Sequence, residues 1–254
     1  MFSYILFDLD GTVSDPKIGI TRSVQYALRA LGIEEADLNR LEPFIGPPLR
    51  DSFREYYGLD EEQTEFAVSK YLDRSLNKGI YENVLYPGMK ELLAGLKAMG
   101  CHLAIASSKL ELSVKKILQY FSIGDSFEVV VGSEADGTRS RKEEIIEEIL
   151  QRFFPDGNIP YDDIVMVGDR KFDIIGGREM GIHQIGVAYG YAPEGELEAA
   201  EAEYIVHSVE AVSYTHLDVY KRQVRSSSCP FRKTVFFSPS KIRFLYCRRF
   251  GTAD

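Results

Sequence analysis

The chain has 254 residues, of which 44% are hydrophobic and 27% charged, the balance of a globular protein long enough to bury a real core in one large or two modest domains. Its formal net charge of −9 argues against binding nucleic-acid polymers, which requires a basic face. The start lacks a basic n-region, no apolar run nears the roughly 20 residues of a membrane span, and three cysteines without zinc or disulfide spacing fit a reducing cytoplasm.

Residues 4–7, Tyr-Ile-Leu-Phe, are too few for a helix and apolar enough for a strand buried on both faces, as in a parallel sheet. Asp8 and Asp10 follow on one face of the extended chain, and Gly11 lets it turn away. Helical spacing comes next: Ile20, Val24, Leu28 and Leu31 lie on one side, with Gly32 placed to close the helix. A second helix is expected after Pro48 and a third through Val68, Leu72 and Leu76. With no convincing strand among them, residues 15–83 read as an all-helical insert.

From Val84 onward strands and helices alternate. A helix with Met89, Leu92, Leu93, Leu96 and Met99 on its apolar side ends at Gly100. Strands are expected at 101–106, 128–131, 164–167 and 184–187, with an edge strand at 204–206. Helices between them carry Val114, Ile117 and Leu118, then Ile145, Ile146 and Ile149 behind a Ser140 and Glu143 capping pattern. This alternation predicts an α/β fold, a Rossmann-like parallel sheet flanked by helices, built from residues 1–14 and 84–212. Functional groups in such a sheet belong beyond the carboxyl ends of its strands.

Residues 213–254 change character. They hold nine basic residues against two acidic ones, whereas those before them hold 21 against 37. The run Ser213-Tyr-Thr-His-Leu-Asp-Val-Tyr-Lys-Arg-Gln223 looks like translated adaptor sequence, so the tail is expected to be non-native or disordered and is set aside from fold reasoning.

Polar residues follow the ends of four expected strands: Asp8 and Asp10, Ser107, the 132–142 loop, and Asp169 with Asp173. Acids brought together at one sheet edge repel each other, and a cation relieves them. Oxygen ligands beside a phosphate suit Mg²⁺, and a carboxylate there is placed to attack phosphorus.

Asp8-Leu-Asp-Gly-Thr12 resembles the nucleophile motif of the haloacid dehalogenase superfamily, and the four polar groups have the spacing of that superfamily's four motifs. The resemblance implies that Asp8 is the nucleophile and that Asp10 is a general acid and base whose backbone carbonyl also touches the metal. Ser107 would bind the phosphoryl oxygens, with Ser108 as a nearby backbone donor. Lys142, in Asp136-Gly-Thr-Arg-Ser-Arg-Lys142, would neutralise Asp8 and the transferred group, with Arg139 and Arg141 as rivals on the residues alone. Asp169 would ligate Mg²⁺ directly, while Asp173 would act through water or orient Lys142.

The helical insert resembles the superfamily's cap, and Phe44-Ile-Gly-Pro-Pro-Leu-Arg50 its substrate-facing loop. Arg50 or Arg54 would then meet an anionic substrate group or simply form a solvated helix charge. The branch implied is phosphoglycolate phosphatase-like or bacterial 5'-nucleotidase-like: a cytoplasmic, Mg²⁺-dependent phosphatase of small phosphorylated metabolites, monomeric or homodimeric. A sugar phosphomutase is the nearest alternative, but its cap histidine is missing here, since the histidines are His102, His183, His207 and His216. A non-catalytic phosphate-sensing module is disfavoured by the complete set of acids.

Overall fold

Strand β1 (Tyr4–Phe7) lies inside a six-stranded parallel sheet of order β5-β4-β1-β6-β7-β8, formed with β4 (His102–Leu110), β5 (Val129–Ser133), β6 (Ile164–Gly168), β7 (His183–Val187) and β8 (Tyr204–Val206). This computed structural model describes residues 2–134, 136 and 138–213, with the backbone of two short strands, Phe236–Ser238 and Lys241–Arg243, that pair with each other. The expectation for the tail otherwise falls outside the described residues.

Alternation along β1 sends its side chains to two cores. Ile5 and Phe7 pack with α4 (Met89–Ala98) and α5 (Glu111–Phe121) through Leu93, Leu96, Val114 and Ile117. Leu6 packs on the other face with Ile145, Ile146 and Ile149 of α6 (Lys142–Phe153). Both faces are therefore covered, which is why β1 is apolar throughout. The strand order runs outward in opposite directions from β1, so the crevice of the sheet opens at its carboxyl end, between β4 and β6.

The insert comprises α1 (Lys17–Ala30), a 3₁₀ turn at Leu38–Phe44, α2 (Leu49–Tyr57) and α3 (Glu61–Asn77). Gly32, at φ +78°, ends α1 while the Ile33 N–H donates to Leu28 O at 2.9 Å. A reciprocal capping box starts α3: Gln63 N–H donates to Asp60 Oδ1 at 2.9 Å and Asp60 N–H to Gln63 Oε1 at 3.2 Å. Ile20, Val24, Leu28, Phe44, Phe53 and Val68 give these helices a core of their own. A two-residue antiparallel pairing of β2 (Ser14–Asp15) with β3 (Val84–Leu85) joins the insert to the sheet.

Two local expectations change. β4 continues to Leu110 instead of ending at Ala106, so Ser107, Ser108 and Lys109 are strand residues; pairing of Leu110 with Ser133, after a register shift, overrides their turn-like composition. Helix α6 begins at Lys142, two residues after Ser140, and Glu144 instead of Glu143 accepts the Arg141 N–H, at 3.2 Å. No helix of the described residues is long and apolar enough to cross a membrane.

Candidate active site

Beyond the carboxyl ends of β1 and β6, the carboxylates of Asp8, Asp169 and Asp173 each offer an oxygen within 4.8 Å of the others, and all three residues are buried. Lys142 enters from the first turn of α6. Its Nζ lies 3.0 Å from Asp8 Oδ1 and 2.7 Å from Asp173 Oδ1, and it donates to Ala106 O at 2.8 Å. Neither alternative cation joins this group: Arg139 pairs with Glu111 and Glu134, and Arg141 pairs with Glu143 at the surface. Of the four acids expected at one edge, Asp8, Asp169 and Asp173 meet there.

The Asp10 carboxylate stands apart from that triplet and pairs with Lys109 Nζ. Lys109 is the residue that reasoning along the chain passed over. Its side chain reaches Asp10 from a β4 that runs four residues beyond Ala106. Ser107 is buried on the same strand, and its Oγ accepts the Lys109 N–H at 3.3 Å. Ser108 is the next residue of that strand and, with Ser107, lines a cavity beneath the insert.

Small residues make room for the acids. A Cβ on Gly11, which sits at φ +84°, would lie 2.1 Å from Asp169 Oδ2, and one on Gly168 would lie 2.1 Å from Asp173 Cγ. The Tyr191 N–H donates to Asp169 Oδ2 at 2.7 Å, while Asp169 Oδ1 and Asp10 Oδ1 are buried without a partner. Arg170, between the two late acids, spans to the insert: Nη1 donates to Ile45 O at 2.5 Å and Nε to Glu196 Oε1 at 2.8 Å. Neither Arg170 nor Tyr191 had a signal along the chain, because their partners are 125 and 176 residues away (Ile45 and Asp15).

Above the acids is a cavity of about 270 Å³ whose floor includes Asp8, Asp10, Ser107 and Lys109. The insert roofs it with Phe44, Leu49, Tyr71 and Leu72, and with Arg50 and Arg54. Both arginines are ion-paired within the insert, Arg50 with Glu65 and Arg54 with Glu61.

Residues 5–187 match the family model described as haloacid dehalogenase-like hydrolase. The chain belongs to that family. A 5'-nucleotidase of Pseudomonas aeruginosa is 45% identical over 195 residues, which cover 77% of this chain and 86% of that protein. A phosphoglycolate phosphatase 1 of the same organism is 26% identical, over 80% of this chain and 75% of that one. The crystal structure of a predicted phosphatase from Clostridium acetobutylicum superposes with a TM-score of 0.81 at 42% identity, covering 87% of this chain and 99% of that one. This haloacid dehalogenase-like protein is a phosphatase.

The charges in this hydrolase's site call for a divalent cation. Three buried carboxylates against one ammonium leave two negative charges, and Asp169 Oδ1 is an acceptor with nothing to accept. Burial accordingly pushes the carboxyls of Asp8 and Asp169 up, and that of Asp173 up to about 6. Burial works against the Lys142 ammonium too, but Asp173 and Asp8 outweigh it and raise its pKa. The all-oxygen donor set fits a hard cation of the kind the family uses.

Proposed function

We propose that this phosphatase hydrolyses small phosphate monoesters with Mg²⁺ through an aspartyl-phosphate, and that the helical insert acts as its cap. The carrying observation is the meeting of Asp8, Asp169 and Asp173 around Lys142, with Asp8 also on the floor of a roofed cavity. Asp8, Asp169 and the Asp10 carbonyl would hold the ion, with Asp173 ligating through water while it holds Lys142. Bound there, Mg²⁺ supplies charge neutralisation for the phosphoryl oxygens.

In the first step an Asp8 oxygen bonds to phosphorus as the bond to the leaving oxygen breaks, and Asp10 gives that oxygen its proton. In the second, Asp10 takes a proton from water, whose oxygen displaces the Asp8 carboxylate and releases inorganic phosphate. Splitting one displacement into two easier ones is the gain from a carboxylate nucleophile. Ser107 Oγ and the Ser108 N–H donate to the phosphoryl oxygens, and the fixed Lys142 ammonium stabilises their charge without reorganising during the reaction. Lys109, touching Asp10, orients that carboxylate toward the leaving group.

The 45% identity to a 5'-nucleotidase supports nucleoside monophosphates as substrates, and the partly apolar roof gives a nucleoside surface to rest on. We place the enzyme in the cytoplasm as a monomer or homodimer. Asp8→Asn keeps the shape and removes the nucleophile. Turnover of p-nitrophenyl phosphate should fall on the order of a thousandfold or more while the circular dichroism spectrum stays unchanged. Wild-type turnover in that variant would refute the assignment.

A further inference from the structure

The roof of the cavity carries its cations already engaged. Arg50 Nε lies 2.5 Å and Nη2 2.9 Å from the two oxygens of Glu65, a two-pronged fork joining α2 to α3. Arg54 Nη2 lies 2.5 Å from Glu61 and its Nη1 3.8 Å from Asp51. Two arginines against three acids leave this side of the cavity without net positive charge. Phe53 and Val68 fix the two helices in one apolar cluster, so the fork sits on a rigid pair.

A guanidinium whose planar edge is taken by one carboxylate has little left for another. The fork also holds the Glu65 carboxyl below its ordinary range, so it is ionised at neutral pH. A substrate carboxylate arriving at the roof would have to displace Glu65 from Arg50 and would meet its charge. An uncharged leaving group meets neither obstacle and gains the apolar contact of Phe44, Leu49 and Leu72.

We propose that Glu65 is a specificity-determining residue: by occupying Arg50 it makes the enzyme select monoesters of uncharged leaving groups, nucleosides among them, over monoesters that carry a carboxylate. This rests on the phosphatase reading above. Glu65 touches neither the acids of the floor nor the cavity itself, so its substitution acts on selectivity and leaves the phosphoryl chemistry in place.

The test compares kcat/KM for uridine 5'-monophosphate, phosphoglycolate, 3-phosphoglycerate and p-nitrophenyl phosphate in the wild type, Glu65→Gln and the double variant Glu65→Gln/Arg50→Gln. The wild type should favour the nucleotide. Glu65→Gln should shift the ratio toward at least one carboxylate substrate by about tenfold, mainly through KM, as a freed guanidinium meets a carboxylate. Its p-nitrophenyl phosphate turnover should stay within about twofold of the wild type, and adding Arg50→Gln should cancel the shift. An unchanged ratio in Glu65→Gln with p-nitrophenyl phosphate turnover intact would overturn the inference, as would a wild type that already favours the carboxylates. No p-nitrophenyl phosphate turnover by the wild type would instead bring down the phosphatase reading, and this inference with it.

Discussion

Asp169 is fully buried, accepts from one backbone N–H and leaves its other oxygen unpaired, an arrangement that destabilises the charged side chain until a cation arrives. Burial, followed by the charges of Asp8 and Asp173, lifts its pKa well above the ordinary 3.8. A raised carboxyl pKa means that the folded protein holds a proton which the unfolded chain has already released. Stability of the metal-free protein from this group is therefore fully present below 3.8 and is lost as pH rises through the folded value. Asp169→Asn does not titrate, so in chelator it should be more stable than the wild type, and by a larger margin at pH 7.5 than at pH 4.5. Urea unfolding at the two pH values measures this, and an equal margin at both would contradict it. With Mg²⁺ in excess the order should reverse, because the variant loses a ligand and with it the stabilisation that binding confers.

At the scale of elements, the turn between β6 and α7 (Lys171–Glu179) does two jobs, holding Asp169 beside Asp173 of the helix's first turn and anchoring the insert through Arg170. Arg170 is buried, and a Cβ on Gly46 would come within 2.7 Å of its Cγ, so the 44–48 loop rests directly on this side chain. Arg170→Met would leave the Ile45 carbonyl without its donor and Glu196 with the Lys171 N–H but no cation, at a cost of about 3 kcal/mol for a broken buried pair. Arg170→Lys should rescue little, since one ammonium cannot reproduce a fork aimed at two acceptors. Denaturant melts should report the loss, and KM should rise in both variants as the roof loosens. A wild-type KM in Arg170→Met would mean that the loop is held by other contacts.

Over the whole molecule, residues 2–213 complete a six-stranded sheet with both faces covered, and Val209 and Val212 are buried in its larger core. The two strands at 236–238 and 241–243 pair only with each other among the described residues. A chain stopped after Ser213 should therefore keep its activity and melt within about 2 °C of the full chain, the shift that about 0.5 kcal/mol produces at this size. Stopping before Val209 should melt far lower, because the core loses two buried valines. A large loss on removing only 214–254 would show that the tail supports the fold.

The order of strands and helices, the family and the motif acids were legible along the chain, because apolar periodicity and a turn glycine beside an acid are local properties. Asp8-Leu-Asp-Gly and Val167-Gly-Asp announce themselves as acids beside a turn glycine, although the carboxylate that Gly11 makes room for, Asp169, comes from the far end of the chain. What Lys109, Arg170, Tyr191 and Glu65 do was not legible. Each is defined by a partner 15 to 176 residues away, and sequence spacing carries no record of which side chains a parallel sheet and its roof bring within 3 Å. Composition could announce a cationic roof in Arg50 and Arg54, but only tertiary structure could pair each arginine with an acid, because a charge acts through its distance to other charges.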